Sequence, residues 1–573
     1  MKNTKKKILS LLMAATLSVG IVGCGNGNGG TSSGTSNQNA TNISFYEYGG
    51  TASFTPWLKN AINRFETANK NKVYETGKEG VKVSTVTGKD NCKDSLPECD
   101  IIMNEDKASI YLMSSKDWLA DIDDLVKEIN RKVSFPQEVL YRGLGVNDKY
   151  YGLPSYSYDV SISYNIDTFE NNNFYIADSG ETNVTAYNSS LTGKTVNFVG
   201  NKGVKKSCGP DGKYETYDDG LPSSLEELIA LCQYMKKNSV YPFAAASKDG
   251  GMSYGFMLID AVWSGLAGTD AMKNLFCNWT NTEVEVVKRD ANNNPMLTSE
   301  EFIEGGNTGI MKPETETITF NDENGYRMYD MSARYYALQF FNLAYNEGWF
   351  GCTESLGAFD TQTEFLYTGV GQAAADNTCA MLIDSSYWYG EATKSGALTT
   401  FKALNEGNEA RVSIMPMPVQ ITGQVTENNG KKPTILDVSA ALFVNKRVER
   451  NEGVFNAVKD FIRFLYTEEE LKAFTETSKL KVNANYSFDK STLGYFYENV
   501  DKIEAAAGEK VYSSSNNIKF LKNRGSFSLI WDGYVNNFDN YHSGTYQALS
   551  NGRTIKDIFK TTLRDKAGNW DTL

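Results

Sequence analysis

Ile43-Ser44-Phe45-Tyr46-Glu47-Tyr48 reads as a short strand, Gly49-Gly50 breaks it, and Trp57, Leu58, Ala61, Ile62 and Phe65 then recur at helical spacing. Val81–Val86 repeats the strand pattern, and Cys99-Asp100-Ile101-Ile102-Met103 gives a third strand that ends at Asn104-Glu105-Asp106. Strands alternating with helices predict an α/β fold built on a parallel sheet. Ligands of such sheets sit beyond the carboxyl ends of the strands, which makes Glu47, Tyr48, Asn104, Glu105 and Asp106 candidate ligand-binding residues.

Downstream, the segments follow a definite order. Trp118-Leu119-Ala120-Asp121-Ile122-Asp123-Asp124-Leu125 precedes Lys149-Tyr150-Tyr151-Gly152-Leu153-Pro154, which leads into the β-rich run Tyr156–Tyr164 and Asn165-Ile166-Asp167. Pro222-Ser223-Ser224-Leu225-Glu226-Glu227-Leu228 opens a helix with capping-box spacing. Tyr335–Tyr345 is an aromatic helix stopped by Gly348. Phe365–Gly369 and Ala380–Trp388 follow, then the strand Leu436–Val444 and a helix through Val454, Phe455, Val458, Phe461, Ile462 and Leu465. In this order the segments resemble the extracellular solute-binding proteins of ABC importers, the carbohydrate-binding family that includes the maltodextrin-binding protein. The resemblance covers most of residues 43–570. It departs from the family where Ser386 replaces a usual glycine, and where extra residues separate Gly369 from Ala380. The stretches Asn171–Tyr217 and Trp263–Asn321 exceed the compact family pattern and are expected to decorate the second lobe.

The resemblance implies a two-lobe periplasmic-binding-protein-like α/β fold with crossing hinge strands. Lobe 1 would comprise residues 43–159 plus 437–482, and lobe 2 residues 160–436 plus 483–573. It also implies closure around an oligosaccharide, delivery to ABC permease subunits, no chemistry of its own, no cofactor and a monomeric state. Sugar sites combine stacked aromatic planes with hydrogen-bonding carboxylates and amides, and this chain is 12% aromatic with 33 tyrosines. In Tyr387-Trp388-Tyr389 the resemblance assigns Trp388 as first stacking residue, and it assigns Trp531 a second cleft position. Tyr156 and Tyr158 would lie at the first hinge, Asp437 and Ser439 near the second, and Trp57 would project from the start of its helix.

The N-terminal residues set the compartment. Lys2, Lys5, Lys6 and Lys7 precede an apolar stretch Ile8–Val22, shorter than the roughly 20 residues a spanning helix needs. Ile21-Val22-Gly23-Cys24 then reads as a lipoprotein signal: residues 1–23 a leader, Cys24 lipidated, and residues 24–42 a tether of Gly, Asn, Ser and Thr reaching on the order of 25 Å. The protein is thus expected on the outer face of the cytoplasmic membrane.

A net charge of −13 disfavours nucleic acid and other polyanions as partners. His542 is the only histidine, which removes Ser-His-Asp, Cys-His and zinc chemistries. Hydrolysis by paired carboxylates needs only Asp and Glu and stays as the enzymatic alternative, beside a receptor of the same fold for peptides or another non-sugar solute. Cys92 and Cys99 are close enough to clip a loop, while the remaining cysteines lack metal-like spacing. The acidic turn Gly209–Gly220 offers Asp211, Asp218 and Asp219 as weak calcium candidates without EF-hand spacing.

Overall fold

A computed structural model describes residues 32–33, 37–47, 53–86, 99–104, 113, 116–142, 147, 149–200, 203–248, 251–252, 254–276, 283–321, 323–351, 357–368, 378–421, 432–512 and 544–560. The chain opens with β1 (Thr41–Glu47), α1 (Thr55–Ala68), β2 (Val81–Val86), β3 (Ile101–Asn104), α2 (Asp123–Val133) and the long β4 (Tyr150–Val160). Pro56 in the first turn starts α1, and its buried face is Trp57, Leu58, Ala61, Ile62 and Phe65, the residues at helical spacing. After Ser161 come β5 (Ile162–Asn165), α3 (Leu225–Lys237), β6 (Tyr241–Ala244), α4 (Gly255–Ala267), α5 (Ser332–Asn346) and β7 (Phe350–Gly351). Then follow α6 (Ala358–Tyr367), β8 (Cys379–Ile383), α7 (Trp388–Lys394), β9 (Val412–Met415), β10 (Ile435–Val444), α8 (Glu452–Leu465), α9 (Glu468–Ser478), α10 (Tyr495–Ala507) and β11 (Lys510–Tyr512).

Two mixed sheets organise these elements. The larger runs Ser32–Ser33, β2, β1, β3, β10, β4, Tyr141–Arg142, with β11 added beside β10. In it β1 is parallel to β2 and β3, and β10 is antiparallel to β3 and β4. The smaller has the order β7, β6, β8, β5, β9. Every residue of β4 and β10 is buried, as central strands covered on both faces require. The chain passes between the sheets at Ser161, again between β9 and β10, and a third time between α9, which packs on α1, and α10, which packs on β9.

Two expectations need correction. Thr41 and Asn42 belong to β1, and Ser32–Ser33 pair with Thr85–Val86, so residues 24–42 are not a free tether throughout. Trp263 lies in α4, a helix buried at every position and packed on α5, so it is central to lobe 2 and not decoration. Peripheral structure begins after α4, as the paired strands Glu283–Val287 with Thr315–Thr319 and Leu297–Glu301 with Met311–Pro313. Within Asn171–Tyr217, Tyr175–Ile176, Thr185–Asn188 and Thr195–Val199 form a small antiparallel sheet of their own.

Candidate ligand-binding site

The carboxyl ends of β1 and β3 finish side by side, with Glu47 paired to Met103 and Asn104 next in β3. The side chains of Glu47 and Asn104, and the whole of Tyr48, Glu105, Asp106 and Trp531, lie outside the described residues. Cys92, His542 and the lipidation candidate Cys24 lie outside them as well. What is described is the wall next to these strand ends. Tyr156 and Tyr158, two residues apart on β4, present their rings to Tyr387 at centroid distances of 5.9 and 5.7 Å. Phe54, at the entry to α1, packs on Tyr156 at 5.3 Å. The Ser53 backbone N–H donates to the Tyr387 hydroxyl at 3.3 Å, so a residue of lobe 2 reaches a residue of lobe 1 across the junction. Tyr387 is half-buried while both β4 tyrosines are buried. Beside it Gly390 of α7 presses on Ser53 and on the Ser478 carbonyl at the end of α9.

Trp388 does not stack in this wall. It is 0% exposed, its indole N–H donates to Ser163 Oγ at 2.9 Å, and Phe365, Tyr389 and Phe496 meet its ring edge-on. As first residue of α7 it points into the lobe 2 core, leaving Tyr387 at the junction. Tyr389 likewise lies stacked on Phe496 at 4.7 Å. Trp57 packs against Phe474 and donates to Glu470 Oε2 at 3.2 Å, and Arg64 holds the same carboxylate at 2.7 Å. Its position is structural.

Asp437 and Ser439 also differ from expectation. Both are buried, Ser439 Oγ donates to Asp437 Oδ1 at 2.7 Å, and Asn483 Nδ2 donates to both. Asp437 Oδ2 and Asp159 Oδ1 flank the Lys510 ammonium at 3.4 and 3.3 Å, and Glu504 of α10 takes it at 2.6 Å. Lys481 adds Glu504 at 2.9 Å and Asp501 at 2.5 Å. These carboxylates neutralise lysines at the hinge, so they are not free to accept a ligand. Burial pushes Asp159 up to about 7 against the opposing pull of Lys510. Burial raises Glu504 too, but Lys510 and Lys481 outweigh it and hold the group at about 2. Lys510 is lowered by burial yet raised further by Asp159 and Glu504, and stays a cation. Sequence reading missed Lys510, Lys481 and Glu504, since a lysine in a short strand and a glutamate on a helix carry no signal of burial.

At the end of β8, Asp384 is buried and accepts from Gln362 Nε2 at 3.0 Å, an amide that also donates to Glu391 at 2.8 Å. Burial, then the Glu391 charge, push Asp384 up to about 8. The calcium candidates are engaged from within their turn. Asp218 accepts from the Asp211 N–H and Thr216 Oγ1 at 2.8 Å each, Asp219 accepts from the Glu215 N–H at 2.8 Å, and Asp211 accepts from the Lys213 N–H at 2.7 Å. Burial raises Asp218 to about 6, opposite to what a cation would do. Among the described residues no group of three His, Cys, Asp or Glu side chains is placed to hold a metal ion, and no helix is long and apolar enough to cross a membrane.

No protein-family model matches the chain, and no curated protein matches it in sequence. Solved structures do match in fold. A chitin oligosaccharide binding protein aligns at 15% identity with a TM-score of 0.53, covering 92% of this chain and 98% of its own. The GacH receptor of Streptomyces glaucescens, solved unliganded and with acarbose, aligns at 11% identity and 0.51, covering 93% and 98%. A probable secreted solute-binding lipoprotein from Streptomyces coelicolor aligns at 11% identity and 0.50, covering 93% and 99%. The chain therefore has the two-lobe α/β fold of solute-binding proteins over nearly its whole length.

Proposed function

We propose that this protein is a lipid-anchored receptor that captures an oligosaccharide outside the cytoplasmic membrane and hands it, unaltered, to an ABC transporter permease. The observation that carries the reading is the aromatic wall of Tyr156, Tyr158 and Tyr387 at the junction of two lobes, in a fold shared with a chitin oligosaccharide binding protein and an acarbose-binding receptor. Tyrosines offer a pyranose ring an apolar face to stack on and a hydroxyl to bond. Glu47, Tyr48, Asn104, Glu105, Asp106 and Trp531 are proposed to complete the site from the strand ends and the C-terminal segment. Closure of the lobes around the sugar would present the permease with one surface. Cys24 would supply the anchor, and the protein would act as a monomer without cofactor.

The test is calorimetric titration with malto-, xylo-, manno-, fructo- and chito-oligosaccharides, with Tyr387→Ala alongside. Saturable binding to one series, weakened in the variant, supports the reading and names the ligand. Silence toward every sugar with binding of a peptide transfers the same fold to a non-sugar solute. Cleavage of the sugar on incubation returns the paired-carboxylate hydrolase.

A further inference from the structure

The buried charges around Lys510 are distributed over both sheets' elements and the passages between them. Asp159 is the penultimate residue of β4 and Asp437 the third of β10, the strands by which the chain leaves and re-enters the larger sheet, and Lys510 opens β11 beside them. Lys481 belongs to the third passage between the lobes, where its carbonyl accepts from the Ser157 N–H at 2.8 Å. Glu504 and Asp501 ride on α10, which packs on β9 of the smaller sheet. A rotation that carries α10 with the smaller sheet shifts Glu504 and Asp501 against Asp159 and Asp437 of the larger one and opens the cluster to water.

Among the described residues the charges do not balance. Four carboxyl groups, Asp159, Asp437, Glu504 and Asp501, face three ammonium groups, Lys510, Lys481 and Lys490, the last paired with Asp501 at 2.6 Å. Among the described residues, the other titratable groups turned toward the cluster are the phenols of Tyr141, Tyr497 and Tyr512, all raised, first by burial, and so neutral, with the Glu138 carboxyl beyond Tyr512. An excess negative charge in a dry site is relieved by one proton. Asp159 is the group pushed up toward neutrality, while Glu504 is held down by both lysines. Asp159 is also tied to the site, because its N–H donates to Ser386 Oγ and its carbonyl accepts from the Ser386 N–H, each at 2.9 Å, next to Tyr387.

We propose that the Lys510 cluster is a proton-sensitive pivot: the closed arrangement of the lobes holds a proton on Asp159 that the open, hydrated arrangement releases, so acidification favours closure. The sign follows from linkage, since the state that binds more protons gains population as the pH falls. This device rests on the receptor reading only for its purpose. Its operation needs no ligand.

The experiment is small-angle X-ray scattering of ligand-free residues 24–573 carrying Cys24→Ser, at about pH 8.5 and about pH 6, either side of the Asp159 titration. The wild-type chain is expected to show a smaller radius of gyration at the lower pH. Asp159→Asn, neutral at both, is expected to be equally compact at both. Glu504→Gln balances the cluster with Asp159 ionised and is expected to lose most of the difference over this range, which keeps the test decisive where Asp159→Asn folds poorly by circular dichroism. A wild-type radius that is unchanged or larger at the lower pH overturns the proposal, as does either folded variant keeping the wild-type response. Silence in the sugar titration would overturn the oligosaccharide reading and leave these scattering outcomes intact.

Discussion

At Gly390, α7 of lobe 2 lies against Ser53 and the end of α9, and a single methyl group there tests whether this contact is made as the lobes close. An alanine Cβ at this position would stand 2.6 Å from the Ser478 carbonyl oxygen and 3.2 Å from Cβ and Oγ of Ser53. The carbonyl belongs to the end of α9 and cannot swing away as a flexible side chain would, so α7 has to retreat by about 0.8 Å to restore ordinary contact. Overpacking of this kind costs about 1–3 kcal/mol, which corresponds to about 5- to 150-fold in an equilibrium constant. The helix itself favours the change, because alanine in a helix is better than glycine by about 0.5–1 kcal/mol. Gly390→Ala should therefore melt no lower than wild type without ligand, yet bind the oligosaccharide identified by titration about 5- to 150-fold more weakly. Differential scanning calorimetry and titration calorimetry on the same preparation separate the two effects. Wild-type affinity in Gly390→Ala refutes the reasoning, and a lowered melting temperature with wild-type affinity would mean that the contact is permanent rather than made on closure.

Three further outcomes distinguish the wall from the core. Trp388→Ala removes a fully buried ring and orphans Ser163, so it should lower stability by about 3–5 kcal/mol in denaturant titration, with the affinity of the remaining folded protein little changed. Tyr387→Phe should weaken ligand binding by about 1 kcal/mol, roughly fivefold, because the acceptor for the Ser53 N–H is lost while the ring stays. Asp384, raised from 3.8 to about 8, binds its proton more tightly folded than unfolded, so stability should fall as the pH rises between these values and level off above. Urea unfolding at about pH 6 and about pH 9 should show that fall in wild type and a smaller one in Asp384→Asn.

Much of the fold was readable because its signals are local. α1 carries Pro56 and an apolar stripe, α3 carries the Ser224–Glu227 capping box, and both appear as expected. The parallel start of the larger sheet follows from the β1, α1, β2 and β3 pattern. The tether is shorter than its polar composition suggests, because composition reports what cannot build a core, whereas Thr41 and Asn42 join β1 through backbone pairing with Val81 and Lys82 of β2. The extent of α4 was hidden for the opposite reason: a helix buried on every face has no stripe to reveal its period.

The site was less legible, and Tyr387-Trp388-Tyr389 shows why. Three consecutive aromatic residues at the start of a helix point about 100° apart, so at most one or two can face a given surface. Composition cannot choose among them. The choice is made by what surrounds α7: Phe365 of α6 and Phe496 of α10 enclose Trp388 and Tyr389 from within lobe 2, and Ser163 of β5 supplies the acceptor the indole needs. Only Tyr387 remains on the side of β4 and Ser53. Asp437 shows the same logic, since its partners Lys510 and Asn483 lie 73 and 46 residues away and become neighbours only through the chain's later passages between the lobes. A carboxylate on a hinge strand reads identically in sequence whether it meets a sugar hydroxyl or a buried lysine. The difference lies in whether an ammonium group arrives from elsewhere in the fold, and at this hinge one does.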